Sequence, residues 1–186
     1  MAISVAALIP QVQVNIPFGF LDRGYLEKFL HRGLNPEIGL DADSLDKQPR
    51  RAFQAAARAF RQAGRRLTLH APFHDMLPGA MDEIMRQASL RRLHQAFRLL
   101  PVFKPETIVC HLGHEDRHYQ HNRQEWLAQS AATWLVLARV AAAHGVKVML
   151  ENVYETDPAL FLELLAMAKA PNLGVCFDAG DRKSVV

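Results

Sequence analysis

Apolar and polar positions along the chain fall into one recurring unit: a short apolar run, a polar loop, then a longer stretch with helical spacing. The short runs are Gln11–Ile16, Glu37–Leu40, Leu67–His70, Thr107–His111, Val146–Glu151 and Leu173–Asp178. Each is brief and rich in β-branched and aliphatic residues, the pattern of a strand buried on both faces of a parallel sheet. Between them the spacing predicts helices over Leu21–His31, Lys47–Ala63, Met81–Leu100, Arg123–His144 and Pro158–Lys169. Gly33, Gly64 and Gly145 stand where helices should stop, and Pro101, Pro105 and Pro171 mark the other boundaries.

Strict β/α alternation implies parallel strands joined by right-handed crossovers. Such strands build either an open doubly wound sheet or a barrel. A dinucleotide-binding sheet carries a glycine-rich turn after its first strand, and VNIPFGFLDRG holds no GxGxxG. The pattern therefore favours an α/β fold of the (β/α)8 barrel kind, with outer helices and about six β/α units. The chain has 186 residues, whereas a closed eightfold barrel takes about 200–250 or more, so the expected barrel is incomplete. No linker or low-complexity tract divides it, and residues 1–180 read as one domain.

Composition narrows the class of partner. About half of the residues are apolar, the range of an ordinary globular protein. Lys plus Arg exceeds Asp plus Glu by 22 − 19 = 3, and the arginines are spread along helical segments as solvated faces are. That excess is too small to argue for nucleic acid. Cys110 and Cys176 show no paired spacing and read as reduced thiols of a cytoplasmic protein. No apolar run approaches the ~20 residues that span a bilayer, so no membrane partner is expected.

The chemistry stands at the strand ends. The third run closes on His70 (LTLHAPF), the fourth on His111 (IVCHLGH), the fifth on Glu151 (VMLENVY) and the sixth on Asp178 (GVCFDAG). In a parallel barrel the C-terminal strand ends share the face on which active sites are built. Four donors distant in sequence are thereby expected to converge as metal ligands. Two imidazoles with two carboxylates suit Zn or Mn, and Mg less well. Period-two alternation agrees: with His111, Glu151 and Asp178 facing inward, Val109, Met149, Cys176 and Gly174 share the lumen, and Cys110, Val148 and Leu150 face the helices. Any one of these side chains alone is more often a hydrogen-bonded or capping group; the weight lies in four at equivalent positions.

Other candidates are weaker. Glu37 and Asp41 could line the same mouth, Glu37 as a substrate contact. His114 lies three residues beyond His111, and Asn152 beside Glu151; both are expected to touch substrate. His74, Asp75, Glu115, His118 and His121 sit in polar loops and read mainly as solvated. His31, His94 and His144 fall on helices and receive no chemistry.

HAPF with the downstream Pro78, Gly79, Asp82, Arg86 and Ser89, followed in order by IVCHLGH, LENVYE and CFDAG, resembles the xylose-isomerase-like barrel superfamily, which includes sugar-phosphate isomerases/epimerases and endonuclease-IV-type enzymes. The resemblance runs as far as Gly180. It implies that Glu151 binds metal and serves as a catalytic acid/base, and that Asp178 is a ligand. It also implies that His70 and His111 correspond to metal ligands in the endonuclease branch and to substrate contacts in sugar-acting members. The family continues with DxGH, a seventh-strand histidine and an eighth-strand glutamate; here Asp181 stands where DxGH has its histidine. The terminal DRKSVV is what the adapter string GATCGGAAGAGCGTCGTG encodes, so residues 181–186 are expected to be a non-native read-through tail.

The expected activity of the intact protein is a metal-dependent isomerisation or epimerisation of a small sugar or sugar phosphate, by proton transfer through an enediolate at a divalent Mn, Zn, Mg or Co ion. The alternative is an endonuclease-IV-like zinc phosphodiesterase acting on abasic DNA. A third reading is a non-catalytic metal-binding barrel or a fragment, and the 186-residue chain itself is expected to be inactive.

Overall fold

A computed structural model describes residues 5–119, 121–155 and 157–179. Six strands form one sheet in sequential order, every neighbouring pair parallel. They are β1 (Gln13–Pro17), β2 (Asn35–Gly39), β3 (Thr68–His70), β4 (Thr107–His111), β5 (Lys147–Glu151) and β6 (Leu173–Cys176). Five principal helices alternate with them: α1 (Leu26–Arg32), α2 (Arg50–Gln62), α3 (Glu83–Phe97), α4 (Arg123–Ala142) and α5 (Pro158–Ala168). These are six of the eight units of a (β/α)8 barrel, open between β1 and β6 among the described residues. The read-through expected for residues 181–186 lies outside the described residues.

Local sequence explains each helix. In α2, Phe53, Ala56, Ala57 and Phe60 follow the i, i+3, i+4, i+7 rule and are buried, while Arg50, Arg51, Arg58 and Arg61 face solvent. Asp82 starts α3 by accepting from the Ile84 and Met85 amides, and Asp157 starts α5 through the Ala159 amide. Gly33 closes α1 in the left-handed conformation, as its position predicts. The first helical stretch differs from the sequence pattern. Gly24 adopts φ +82 and breaks it, so the regular helix begins only at Leu26.

Outward strand positions supply the core. Ile38, Leu69, Ile108, Cys110, Val148 and Leu150 are fully buried against the helices. Each such aliphatic chain contributes about 1.5–3 kcal/mol when removed from water. Phe18, Phe53 and Phe103 pack ring on ring beneath α2, and Trp126 and Trp134 anchor α4.

The sheet is curled. β3 and β5 are two strands apart, about 10 Å on a flat sheet at ~4.8 Å per strand. Yet His70 Nε2 on β3 and Glu151 Oε2 on β5 approach to 3.2 Å, as inner faces that turn toward one another across a lumen allow.

Candidate metal centre

Register places the donors. β4 and β5 pair His111 with Glu151, whereas β3 pairs His70 with Val109, two residues lower on the same inner face. The strand ends are tied down by the loops beyond them: Leu40 N–H donates to the His70 carbonyl, Ala71 N–H to the Val109 carbonyl and Leu112 N–H to the Glu151 carbonyl. The three side chains thus project from backbone with little freedom.

They converge on one carboxylate. His70 Nε2 lies 3.2 Å and His111 Nε2 3.3 Å from Glu151 Oε2. One donor atom from each residue lies within 4.8 Å of the others. His70 Nδ1 is 2.9 Å from the Ala71 carbonyl, which can only accept, so Nδ1 carries its hydrogen. In the neutral ring Nε2 is then a lone pair facing a carboxylate oxygen. Two acceptors face to face demand a cation between them, either a proton on Nε2 or a metal ion. By donor chemistry, two imidazoles and one carboxylate suit Zn, Mn or Co better than Mg.

Electrostatics follow from the same contacts. Burial disfavours charge on both partners. For Glu151 the hydrogen bonds and charges of His111 and His70 outweigh it and bring the carboxyl down to about 2. Burial likewise opposes protonation of His70, yet the contacts to Glu151 and Ala71 and the charges of Glu151 and Glu37 raise its pKa above 6.5. Cys176 shares the lumen, as alternation predicts, with Sγ 3.8 Å from Glu151 Oε1. Burial first, then the Glu151 and Glu37 charges, push its thiol up to about 11.

The other expected site residues are placed as follows. Asp178 is not in the group of three; β6 ends two residues earlier, at Cys176. Its backbone is clamped by Asn152, whose amide accepts from Asp178 N–H (2.9 Å) and donates to the Asp178 carbonyl (3.0 Å). Glu37 accepts from Asn15 Nδ2 at 2.9 Å on the same inner face. His114 is only 2% exposed, packed edge-on against Trp126 and tilted on Tyr119, with Nδ1 3.5 Å from Asp116. Asp41 caps the short helix Ala42–Lys47 through the Ser44 amide, and His118 pairs with Glu115.

Phe73, absent from the sequence-based candidates, lies against the cluster. Its ring stacks on His111 at 4.7 Å and meets His70 edge-on at 5.4 Å. Two cavities of about 500 and 520 Å³ meet at Phe73, His74 and Met76; the first reaches His111 and the second His70. The signal in the sequence is the HAPF motif, which sets an aromatic residue three positions after the strand-end histidine.

Comparison with known proteins agrees with this architecture. The TTHB071 protein of Thermus thermophilus, in crystals soaked with zinc chloride, superposes with a TM-score of 0.74 at 26% identity, covering 90% of this chain and 66% of that one. A D-tagatose 3-epimerase-like protein superposes with a TM-score of 0.75 at 19% identity, over 93% and 67% of the two chains. The uncharacterized protein MJ1311 of Methanocaldococcus jannaschii is 28% identical over 120 residues, 61% of this chain and 41% of its own length. The chain thus spans about two thirds of these solved structures and less than half of the curated relative. A family model described as xylose isomerase-like TIM barrel matches residues 30–181. Since that match takes in five of the six strands and the whole of α2, α3, α4 and α5, the chain belongs to the xylose isomerase-like TIM barrel family.

Proposed function

We propose that the protein of which this chain forms a part is a metal-dependent isomerase or epimerase of a small sugar or sugar phosphate. The observation that carries the reading is the convergence of His70 Nε2 and His111 Nε2 on Glu151 Oε2. These three residues hold the metal, with Asp178, two residues beyond β6, as a further carboxylate. Asn152, buried and hydrogen-bonded to both backbone groups of Asp178, holds that segment in place beside the substrate. When bound, the divalent ion supplies Lewis-acid polarisation of a substrate carbonyl and its neighbouring hydroxyl. Glu151 moves the proton at the adjacent carbon, through the oxygen that faces Cys176 rather than the histidines. Glu37, fixed by Asn15, contacts substrate hydroxyls from across the lumen. His114 backs the wall of the cavity beside His111. An epimerase-like protein among the structural neighbours supports the substrate class.

The second reading, a zinc phosphodiesterase acting on abasic DNA, is favoured by one observation: both strand-end imidazoles face Glu151, as the resemblance assigns to the endonuclease branch. Against it, among the described residues the two cavities beside the cluster are lined by a single guanidinium, Arg92, already paired with Asp46. A phosphodiester needs more cationic contact than that.

Equilibrium dialysis of the chain against Zn²⁺ and Co²⁺ tests the metal site. One ion per chain is expected, with affinity reduced at least tenfold in His70→Ala, His111→Ala and Glu151→Gln. Unchanged affinity in all three variants would rule the centre out. In the whole protein, a ketose panel run beside an abasic oligonucleotide separates the two activities, and full isomerase turnover in Glu151→Gln would exclude the proposed acid/base.

A further inference from the structure

We infer that Phe73 is the positioning residue for His111, doing by ring stacking what a hydrogen bond does for His70; this rests on the metal-centre reading above. Imidazole ligands ordinarily hold their orientation through a hydrogen bond at the nitrogen not used for the metal. His70 has one, from Nδ1 to the Ala71 carbonyl. His111 turns Nε2 toward Glu151, and no described residue offers its Nδ1 a partner. What meets the ring instead is Phe73, stacked at 4.7 Å with 29° between the planes.

The Phe73 ring also meets the ring of His74, at 4.2 Å and tilted by 43°, which adds a second aromatic contact to hold it in place. The edge of Phe73 also faces His70, and the two imidazoles stand nearly perpendicular to each other at 5.0 Å. One aromatic ring therefore limits rotation of both imidazoles. Core packing does not account for its place, because Phe73 remains 42% exposed and lies outside the buried cluster. A large apolar side chain kept half in water, against a polar cluster and between two cavities, is placed for the cluster rather than for stability.

The consequence is a preorganised His111. Removing the stack frees its ring to rotate away from Glu151, which costs metal affinity and alters the ligand field while leaving the fold intact. Zn²⁺ affinity of the 186-residue chain by chelator competition, with the visible absorption of the Co²⁺ form, tests this in wild type, Phe73→Ala, Phe73→Leu and Phe73→Tyr. Second-sphere losses in metal sites run from about ten- to a hundredfold. The expected result is about tenfold weaker binding and a shifted Co²⁺ spectrum in Ala and Leu, with Tyr restoring both. Leu keeps most of the apolar bulk, so wild-type affinity and spectrum in Phe73→Leu overturn the inference. Near-wild-type binding in Phe73→Ala does the same. A wild-type chain that binds neither ion brings down the metal-centre reading itself, and the inference with it; that result is distinct from wild-type binding that Phe73 substitutions do not disturb.

Discussion

At the residue scale, the pair His70–Glu151 makes the stability of the metal-free protein depend on pH in a definite direction. His70 has its pKa raised above 6.5 in the folded chain, so its contribution is complete below 6.5 and is lost as pH rises through the raised value. Glu151 is held at about 2 against an ordinary 4.5; its contribution is present above 4.5 and is lost as pH falls toward 2. Between these limits the pair stabilises fully. His94 and His114, whose pKa values burial lowers, act in the opposite sense, so the comparison must isolate His70. Thermal melts in chelator should show the wild type losing its advantage over His70→Asn as pH climbs above 6.5; a constant difference across that range would contradict the assigned contact. Residue identities at the strand ends were legible in the sequence, since His, His and Glu at equivalent topological positions can be read without coordinates. The orientation of Asn152 and the stacking of Phe73 were not, because they depend on loop paths that no periodicity encodes.

Individual elements were legible to within a few residues in α2, where a one-sided apolar stripe marks the helix, and in α4 and α5, where a long helix-forming stretch fills the gap between two strand-like runs. Two departures have physical causes. The run Leu173–Asp178 reads as one strand, but pairing to β5 ceases after Cys176, and the Asn152 amide takes over the backbone of Asp178. The short helices Ala42–Lys47, Leu100–Phe103 and Asp116–Tyr119 are too brief to show a helical period. The Pro78–Gly79 pair, noted in the sequence only as a motif, fixes the β3–α3 connection to α4. Thr133 Oγ1 donates to the Pro78 carbonyl at 2.8 Å. A Cβ on Gly79 would stand 2.4 Å from Nε1 of Trp126, and Trp126 is completely buried. Neither side can yield, so Gly79→Ala should destabilise the chain by about 1–3 kcal/mol, the usual cost of overpacking. Urea unfolding measures it, and a loss under about 0.5 kcal/mol, the level of an ordinary surface change, would show that the connection is free to move.

For the whole molecule, the consequence of six strands in a curled sheet is two edges. Among the described residues no strand pairs with the outer side of β6, and its surroundings are apolar: Val175 is 39% exposed, Phe177 65%, and Leu162 on the adjoining face of α5 67%. Unpaired strand edges beside exposed apolar side chains favour pairing with another chain. In a (β/α)8 barrel that position belongs to a seventh unit, and the solved structures are half as long again as the stretch matched here. The incomplete barrel was legible from length and strand count alone; how far the edge is apolar was not, because the pattern of β6 looks the same whether its outer side is covered or bare. The 186-residue chain should therefore self-associate with rising concentration. Val175→Lys, which sets a charge on the exposed edge without touching the core, should shift it toward monomer. Sedimentation velocity over a concentration series decides this. Hydrogen exchange in the monomer should then find the β6 amides opening faster than those of β4, which is paired on both sides. A strictly monomeric wild type whose β6 amides are as slow as those of β4 would mean that the edge is closed, and the barrel more nearly complete than six strands allow.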